Sequence, residues 1–257
     1  MACIHARGGE IVVPKSMEVT NKAVLVTGAN RGLGKALVEE ILRRGANRVY
    51  AGARKPLAHA DRRVTPLILD VTDAVQIGAA VERIGSLDIL INNAGIGLYD
   101  DLGDRAALER HLAVNLLGVH GVTHAFLPLL THSRGAVVNI LSEAALVPFP
   151  IIPSYSLSKA AAFSMTQSVR ALAGARGVSV HAVLSGPIDT DMSRDADIPK
   201  SSAESVAKGI LDGMARGEEE IFPDPKSASM AESWRGSAFK ALERQMAAFV
   251  QAMPTKP

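Results

Sequence analysis

A single doubly wound α/β domain, with a seven-stranded parallel sheet flanked by helices, is predicted by three observations. Seven short apolar runs recur along the chain, amphipathic segments of helical length separate them, and a glycine-rich turn joins the first run to the first helix. With 257 residues, 47% of them hydrophobic and 21% charged, the chain is long enough to bury a substantial core and too apolar to be disordered. The runs are apolar throughout rather than alternating, as strands covered by helices on both faces must be.

The first run, AVLVT at 23–27, leads through the glycine turn into a segment where Leu33, Leu37 and Ile41 fall at helical spacing, as do Val38 and Leu42. Residues 32–44 therefore read as an amphipathic helix closed by Gly45. Further strands are expected at 48–53, 66–71, 87–92, 135–141, 178–184 and 220–222. Helices are expected at 73–84, 105–130, 154–175, 203–216 and 227–250. The last carries Trp234, Phe239, Leu242, Met246 and Phe249 at roughly helical spacing, a face for its own domain or for another subunit. Residues 1–20 contain no apolar core of a secretory signal and are expected to be a flexible N-terminal extension, of which 1–16 are expected to be dispensable. No repeat or linker divides 21–257, which reads as one catalytic domain.

Charge narrows the partners. Lysine plus arginine number 28 against 26 acidic residues, and the resulting +2 is spread without a basic run, so no nucleic-acid partner is expected. No run approaches the ~18 apolar residues of a membrane span. One cysteine, Cys3, excludes an internal disulfide or a thiolate metal cluster and places the chain in a reducing, cytoplasmic compartment. His111, His120, His124 and His132 share one predicted helix, but their spacings bring no three together with a carboxylate, so no metal is expected.

Two constellations carry chemistry. In Thr27-Gly28-Ala29-Asn30-Arg31-Gly32-Leu33-Gly34, missing side chains let backbone approach a pyrophosphate, and the helix that follows offers its free N–H groups. Tyr155 and Lys159, four apart at the start of a predicted helix, project from one face, so an ammonium stands near a phenol and favours proton exchange. Taken alone, the first is also a tight turn and the second also a solvated helix face.

Together with Asn92-Asn93-Ala94-Gly95 after the fourth strand, Asn115 in a helix and Ser142 ending the fifth strand, these residues stand in an order that resembles the short-chain dehydrogenase/reductase family from about Lys22 to Asp224. The resemblance implies a Rossmann-type domain, a nicotinamide cofactor and hydride transfer between that cofactor and a carbonyl or alcohol carbon. It implies Tyr155 as the general acid and Ser142 as hydrogen-bond partner of the substrate oxygen. Lys159 would hold the nicotinamide ribose and lower the Tyr155 pKa, and Asn115 would place a water that relays protons. Around the cofactor it implies Gly28, Asn30, Arg31, Gly32, Leu33 and Gly34 at the turn, with Asn92, Ala94 and Gly95 beside them. Asp70 and Val71 would lie by the adenine, where Asp70 is equally an ordinary helix cap, and Ile188 and Thr190 at the carboxamide. Ser185 stands where the family carries proline, which predicts a looser turn. Homodimers or homotetramers through the long helices around Asn115 and Tyr155 are also implied.

The end of the second strand reads Tyr50-Ala51-Gly52-Ala53-Arg54-Lys55, with no acid to hold an adenine-ribose 2′-hydroxyl. Arg54 and Arg31 instead suit a 2′-phosphate, which predicts NADP(H). Leu98, Phe149 and Met192, with other apolar residues of the same loops, predict an apolar or aromatic ketone or aldehyde as substrate. Glu143, next to Ser142, is the charged exception and reads either as a pocket residue or as a solvent-facing loop residue. A protein that binds NADP(H) as a sensor or scaffold without turnover is the alternative.

Overall fold

The computed structural model describes residues 16–55 and 57–252, so most of the expected N-terminal extension lies outside the described residues. Seven strands, β1 (Ala23–Thr27), β2 (Arg48–Ala53), β3 (Val64–Ile68), β4 (Ile89–Asn92), β5 (Ala136–Ile140), β6 (Ser179–Val183) and β7 (Glu220–Ile221), form one sheet. Their order is β3-β2-β1-β4-β5-β6-β7, and every pairing is parallel. Pro66 is tolerated because β3 is an edge strand bonded only to β2. The chain reverses its direction of winding between β1 and β4, which opens a crevice beyond Thr27 and Asn92.

Helices α1 (Gly32–Arg43) and α6 (Ala203–Ala215) cover one face of the sheet. On the other lie α2 (Ala74–Ile84), α3 (Arg105–Leu112), α4 (Val119–Ser133) and α5 (Pro153–Gly174), followed by α7 (Pro225–Arg235) and α8 (Ala238–Ala252) at the β6–β7 end. Alternation along β1 feeds both layers: Val24 and Val26 belong to the same core as Leu37, Ile41 and Ile210, while Leu25 belongs to that of Ile77, Phe126 and Leu130. Each such side chain, fully buried, stabilises the fold by about 1.5–3 kcal/mol.

Several boundaries differ from expectation for identifiable reasons. The folded domain begins before residue 21, because Met17 and Val19 are buried in the α1–α6 core and the Met17 N–H bonds the Met214 carbonyl at 3.2 Å. β3 ends at Ile68, so Asp70 and Val71 lie beyond the strand rather than in it. The expected 105–130 helix runs on to Ser133, long and apolar enough to cross a membrane, yet Val122, Phe126 and Leu130 are fully buried against the sheet. Within it, Ala113–Gly118 form a π-helical turn. The expected single helix at 227–250 is two helices. Gly236 ends α7, and Ser237 restarts the chain by accepting the Lys240 N–H at 3.1 Å.

Candidate active site

The glycine turn is held from beneath by β4. The Thr27 hydroxyl oxygen accepts the N–H groups of Asn93 and Ala94, both at 3.0 Å. The Asn93 amide in turn donates to the carbonyls of Thr27 (2.9 Å) and Gly28 (3.2 Å). A Cβ on Gly34 would lie 2.1 Å from the Gly28 carbonyl oxygen, so only glycine lets α1 start this close to β1. Gly28, at φ +65°, occupies the left-handed region that admits few other residues. Asn93 was missed by sequence reasoning, although its place between two expected site residues was a signal.

The remaining expected cofactor residues divide by what their side chains do. Asn30 and Arg31 are exposed, whereas Leu33 is buried in the core and offers only backbone. The Asn92 amide is turned into the fold, donating to Thr123 of α4 (2.9 Å) and Asn139 of β5 (2.8 Å), so toward the crevice it offers backbone. Asp70 accepts the Thr72 N–H and hydroxyl, and these bonds, with the nearby Arg54 cation, hold its carboxyl below the usual range. The cap of α2 is Asp73, which accepts from Val75 and Gln76. Val71 is buried against Gly118, where a Cβ would stand 2.8 Å from Val71 Cγ2.

Ser142, Tyr155, Lys159 and Asn115 are brought together from β5, α5 and the π-helical turn. Ser142 stands two residues beyond β5 in extended backbone, its Oγ accepting the Ala144 N–H at 3.1 Å, and it faces the Tyr155 side chain. The buried Lys159 Nζ donates to the Ile140 carbonyl at 2.8 Å and lies 5.6 Å from the centre of the Tyr155 ring. Asn115 accepts the Ile96 N–H and donates to the Ile96 carbonyl and to Ser158, each at 2.9 Å. The wide π-helical turn lets a helix residue face the loop after β4 in this way.

Proton affinities follow from burial. Burial pushes the Tyr155 phenol up to about 12, opposed only in part by the Ser142 bond. Burial also pulls Lys159 down to about 8. In this arrangement the Lys159 ammonium donates to the Ile140 carbonyl, and burial is the largest influence on Tyr155. His111, fully buried, accepts the Leu98 N–H on Nε2 and faces the Ala107 carbonyl through Nδ1, with its ring edge-on to Tyr155 at 6.3 Å. It stands four residues before Asn115, on the same helix face, a spacing that could have singled it out.

The remaining walls come from loops after β6 and β5. Thr190 reaches the glycine turn: a Cβ on Gly32 would lie 3.1 Å from its methyl. Ile188 is partly buried against the core. Arg31 pairs with Asp191 at 3.1 Å, joining the turn to the segment that carries Met192. Gly97 brings Met192 and Tyr155 close, since a Cβ there would meet Met192 Sδ at 3.1 Å and Tyr155 Cδ2 at 3.6 Å. Leu98 and Phe149 are half-buried. Glu143 is not a solvent-facing loop residue: it is 6% exposed and ion-paired with Lys226, whose ammonium also lies 5.6 Å from the centre of the Phe149 ring. The Ser185 turn is not loose, because Gly186 N–H donates to Asp224 at 2.9 Å and the Ser185 carbonyl accepts Glu143 N–H at 3.0 Å.

A dinucleotide suits these residues. α1 begins with no side-chain cap and no acidic residue in its first turn, leaving its N–H groups open to phosphate. The short chain dehydrogenase family model matches residues 22–200. "Short chain dehydrogenase pigC" of Monascus ruber is 33% identical over 211 residues, covering 74% of this chain and 70% of that protein. "Oxidoreductase UcpA" of Escherichia coli K12 is 30% identical over 215 residues, covering 77% and 81%. A solved short chain dehydrogenase from Burkholderia cenocepacia in complex with NADP superposes with a TM-score of 0.82 at 35% identity, covering 93% of this chain and all of that one. The chain belongs to the short-chain dehydrogenase/reductase family. It is an oxidoreductase with a Rossmann-like fold, of a family that binds NAD(P)(H).

Proposed function

We propose that this chain is an NADP(H)-dependent carbonyl reductase acting on an apolar or aromatic ketone or aldehyde, working in the cytoplasm as a homo-oligomer. The observation that carries the reading is the convergence of Ser142, Tyr155, Lys159 and Asn115 at the carboxyl edge of the sheet beside the glycine turn. NADP(H), when bound, supplies the hydride for the carbonyl carbon. The glycine turn would receive its pyrophosphate, and Arg54 with Arg31 its 2′-phosphate, in keeping with NADP in the Burkholderia cenocepacia relative.

Tyr155, neutral near pH 7, hands its proton to the substrate oxygen as charge develops there, and Ser142 donates a second hydrogen bond to the same oxygen. Lys159 would hold the nicotinamide ribose. Asn115 fixes the Ile96 backbone and Ser158 and would place the relay water that returns a proton toward Lys159. Leu98, Phe149 and Met192 favour an apolar substrate body, and the Glu143–Lys226 pair sets one polar edge.

Consumption of NADPH and NADH with a panel of aromatic ketones, aldehydes, quinones and 3-oxoacyl thioesters tests this. Turnover with NADPH that falls about 10²–10⁴-fold in Tyr155→Phe supports it. Tight NADPH binding with no carbonyl turned over by either protein points to the sensor reading. Arg31→Ala with Arg54→Ala weakens NADPH far more than NADH, and equal losses would remove the cofactor assignment.

A further inference from the structure

A charge pair interrupts the apolar walls beside Ser142. Glu143 follows the serine directly, so their Cα atoms lie about 3.8 Å apart. Glu143 is buried, and its Oε1 accepts a hydrogen bond from Lys226. Oε2 has no partner among the described residues and is not sealed from water. Lys226 stands in the first turn of α7, which is firmly mounted. Buried Asp224 caps that helix through the Ser227 N–H at 3.0 Å and also accepts the Gly186 N–H at 2.9 Å, tying α7 to the loop after β6. The lysine stem passes Gly186, where an added Cβ would lie 3.4 Å from Lys226 Cδ, and its ammonium ends over the Phe149 ring. Phe149 is anchored in turn, its N–H donating to Ser156 at 3.0 Å, next to Tyr155. Loops after β5, β6 and β7 thus hold the pair at the border of the place where Ser142 and Tyr155 meet.

Resting on the reductase reading above, we propose that Glu143 and Lys226 form a specificity site for a hydroxyl group, so that the substrate is an apolar or aromatic ketone or aldehyde bearing a neutral hydroxyl a few carbons from its carbonyl. The two charges cancel, and the pair has no net pull on an ion: a substrate carboxylate would be set against Glu143, and a substrate ammonium against Lys226. A hydroxyl is donor and acceptor at once, giving its proton to Glu143 Oε2 while accepting from Lys226. Lys226 has three N–H donors and gives one to Glu143. With 59% of its side chain exposed, the others are hydrated until a substrate covers them. A wholly apolar body would strip that water without replacing it, which is how a polar site rejects the analogue that lacks its hydroxyl. As a stability device the pair is poor, because burying a carboxylate costs more than a largely exposed lysine returns. Proton transfer needs neither residue, so the pair selects the substrate and leaves the chemistry to Tyr155 and Ser142.

Matched acetophenones carrying hydroxyl, methyl or carboxylate at the meta or para position test this, each with NADPH for turnover and with the NADP⁺-saturated full chain for binding by calorimetry. The expected result is a kcat/KM and an affinity about 10–150-fold higher for a hydroxyl ketone than for its methyl counterpart, the worth of one hydrogen bond to a charged group. Lys226→Met and Glu143→Gln/Lys226→Met remove that preference through KM, and Lys226→Arg retains it. Unchanged NADP⁺ affinity shows that each variant is folded. A wild type that reduces hydroxyl and methyl ketones equally well, or prefers the carboxylate, overturns the hydroxyl site and leaves the reductase standing. A preference that survives Lys226→Met also overturns it. Binding that favours the hydroxyl and depends on Lys226, with no ketone reduced, keeps the site and overturns the reductase. No preference in either measurement overturns the site.

Discussion

Lys159 is the residue on which pH acts first. Its ammonium is pulled down by burial to about 8, so the free enzyme meets its cofactor with Lys159 charged below that pH and neutral above it. We expect kcat/KM for NADPH to be flat below pH 8 and to fall above it. Lys159→Arg, charged throughout, moves that limb to higher pH in the same profile, whatever it does to the absolute rate. Tyr155, held near 12, stays a proton donor across the range and adds no limb of its own there. A second residue-scale prediction concerns Lys226, which is largely exposed but neutralises the buried Glu143. Lys226→Met leaves that carboxylate unpaired and costs about 1–2 kcal/mol, discounted for the exposure of the lysine. For a chain of this size each kcal/mol lowers Tm by roughly 2–4 °C, and scanning calorimetry reads the difference.

The glycines of the elements separate close approach from mere flexibility. Gly34→Ala would drive a methyl to 2.1 Å from the Gly28 carbonyl oxygen and 2.6 Å from the Asn93 amide, forcing α1 off β1. We expect a loss of about 3 kcal/mol or more in urea titration, with NADPH binding lost too. Gly78, within α2, has nothing within 4 Å of an added Cβ, so Gly78→Ala should stabilise by about 0.4–1 kcal/mol in the same titration. Elements of this kind were legible in the sequence because each states its rule locally: apolar runs become strands, and Leu33, Leu37 and Ile41 mark one buried helix face. Asn115 could be placed in a helix but not in a π-helical turn, since that bulge follows from contact with Ile96, nineteen residues away. Glu143 could not be decided between pocket and solvent from sequence because its partner Lys226 stands 83 residues later. The break at Gly236 was hidden by apolar residues that keep helical spacing across it, although they face different surroundings: Trp234 packs on Phe163, whereas Phe239 faces outward.

At the scale of the whole molecule, the β6–β7 end is joined to α8 by buried charge and to α5 by buried charge as well as apolar packing, and His181 sits within that arrangement. Its ring is fully buried, with Nδ1 on the Glu218 carbonyl at 2.6 Å and Nε2 without a partner among the described residues. Burial first, with the Arg170 cation adding to it, pulls His181 down to about 4. Between about pH 6.5 and 4 the unfolded chain therefore binds a proton that the folded chain does not. Stability rises with pH wherever the unfolded state binds more protons, so this contribution is complete above 6.5 and lost as pH falls through 4. A shift of this size corresponds to about 3 kcal/mol. Arg170 and Lys240 hold Glu220 below the usual carboxylate range, although its burial opposes them. Urea unfolding of the wild type at pH 7.5 and 4.5 should show a clear loss at the lower pH. His181→Gln keeps a donor for the Glu218 carbonyl and cannot titrate, so its loss between the two pH values should be smaller by up to that amount. An equal loss in both proteins would assign acid sensitivity to the ion pairs instead.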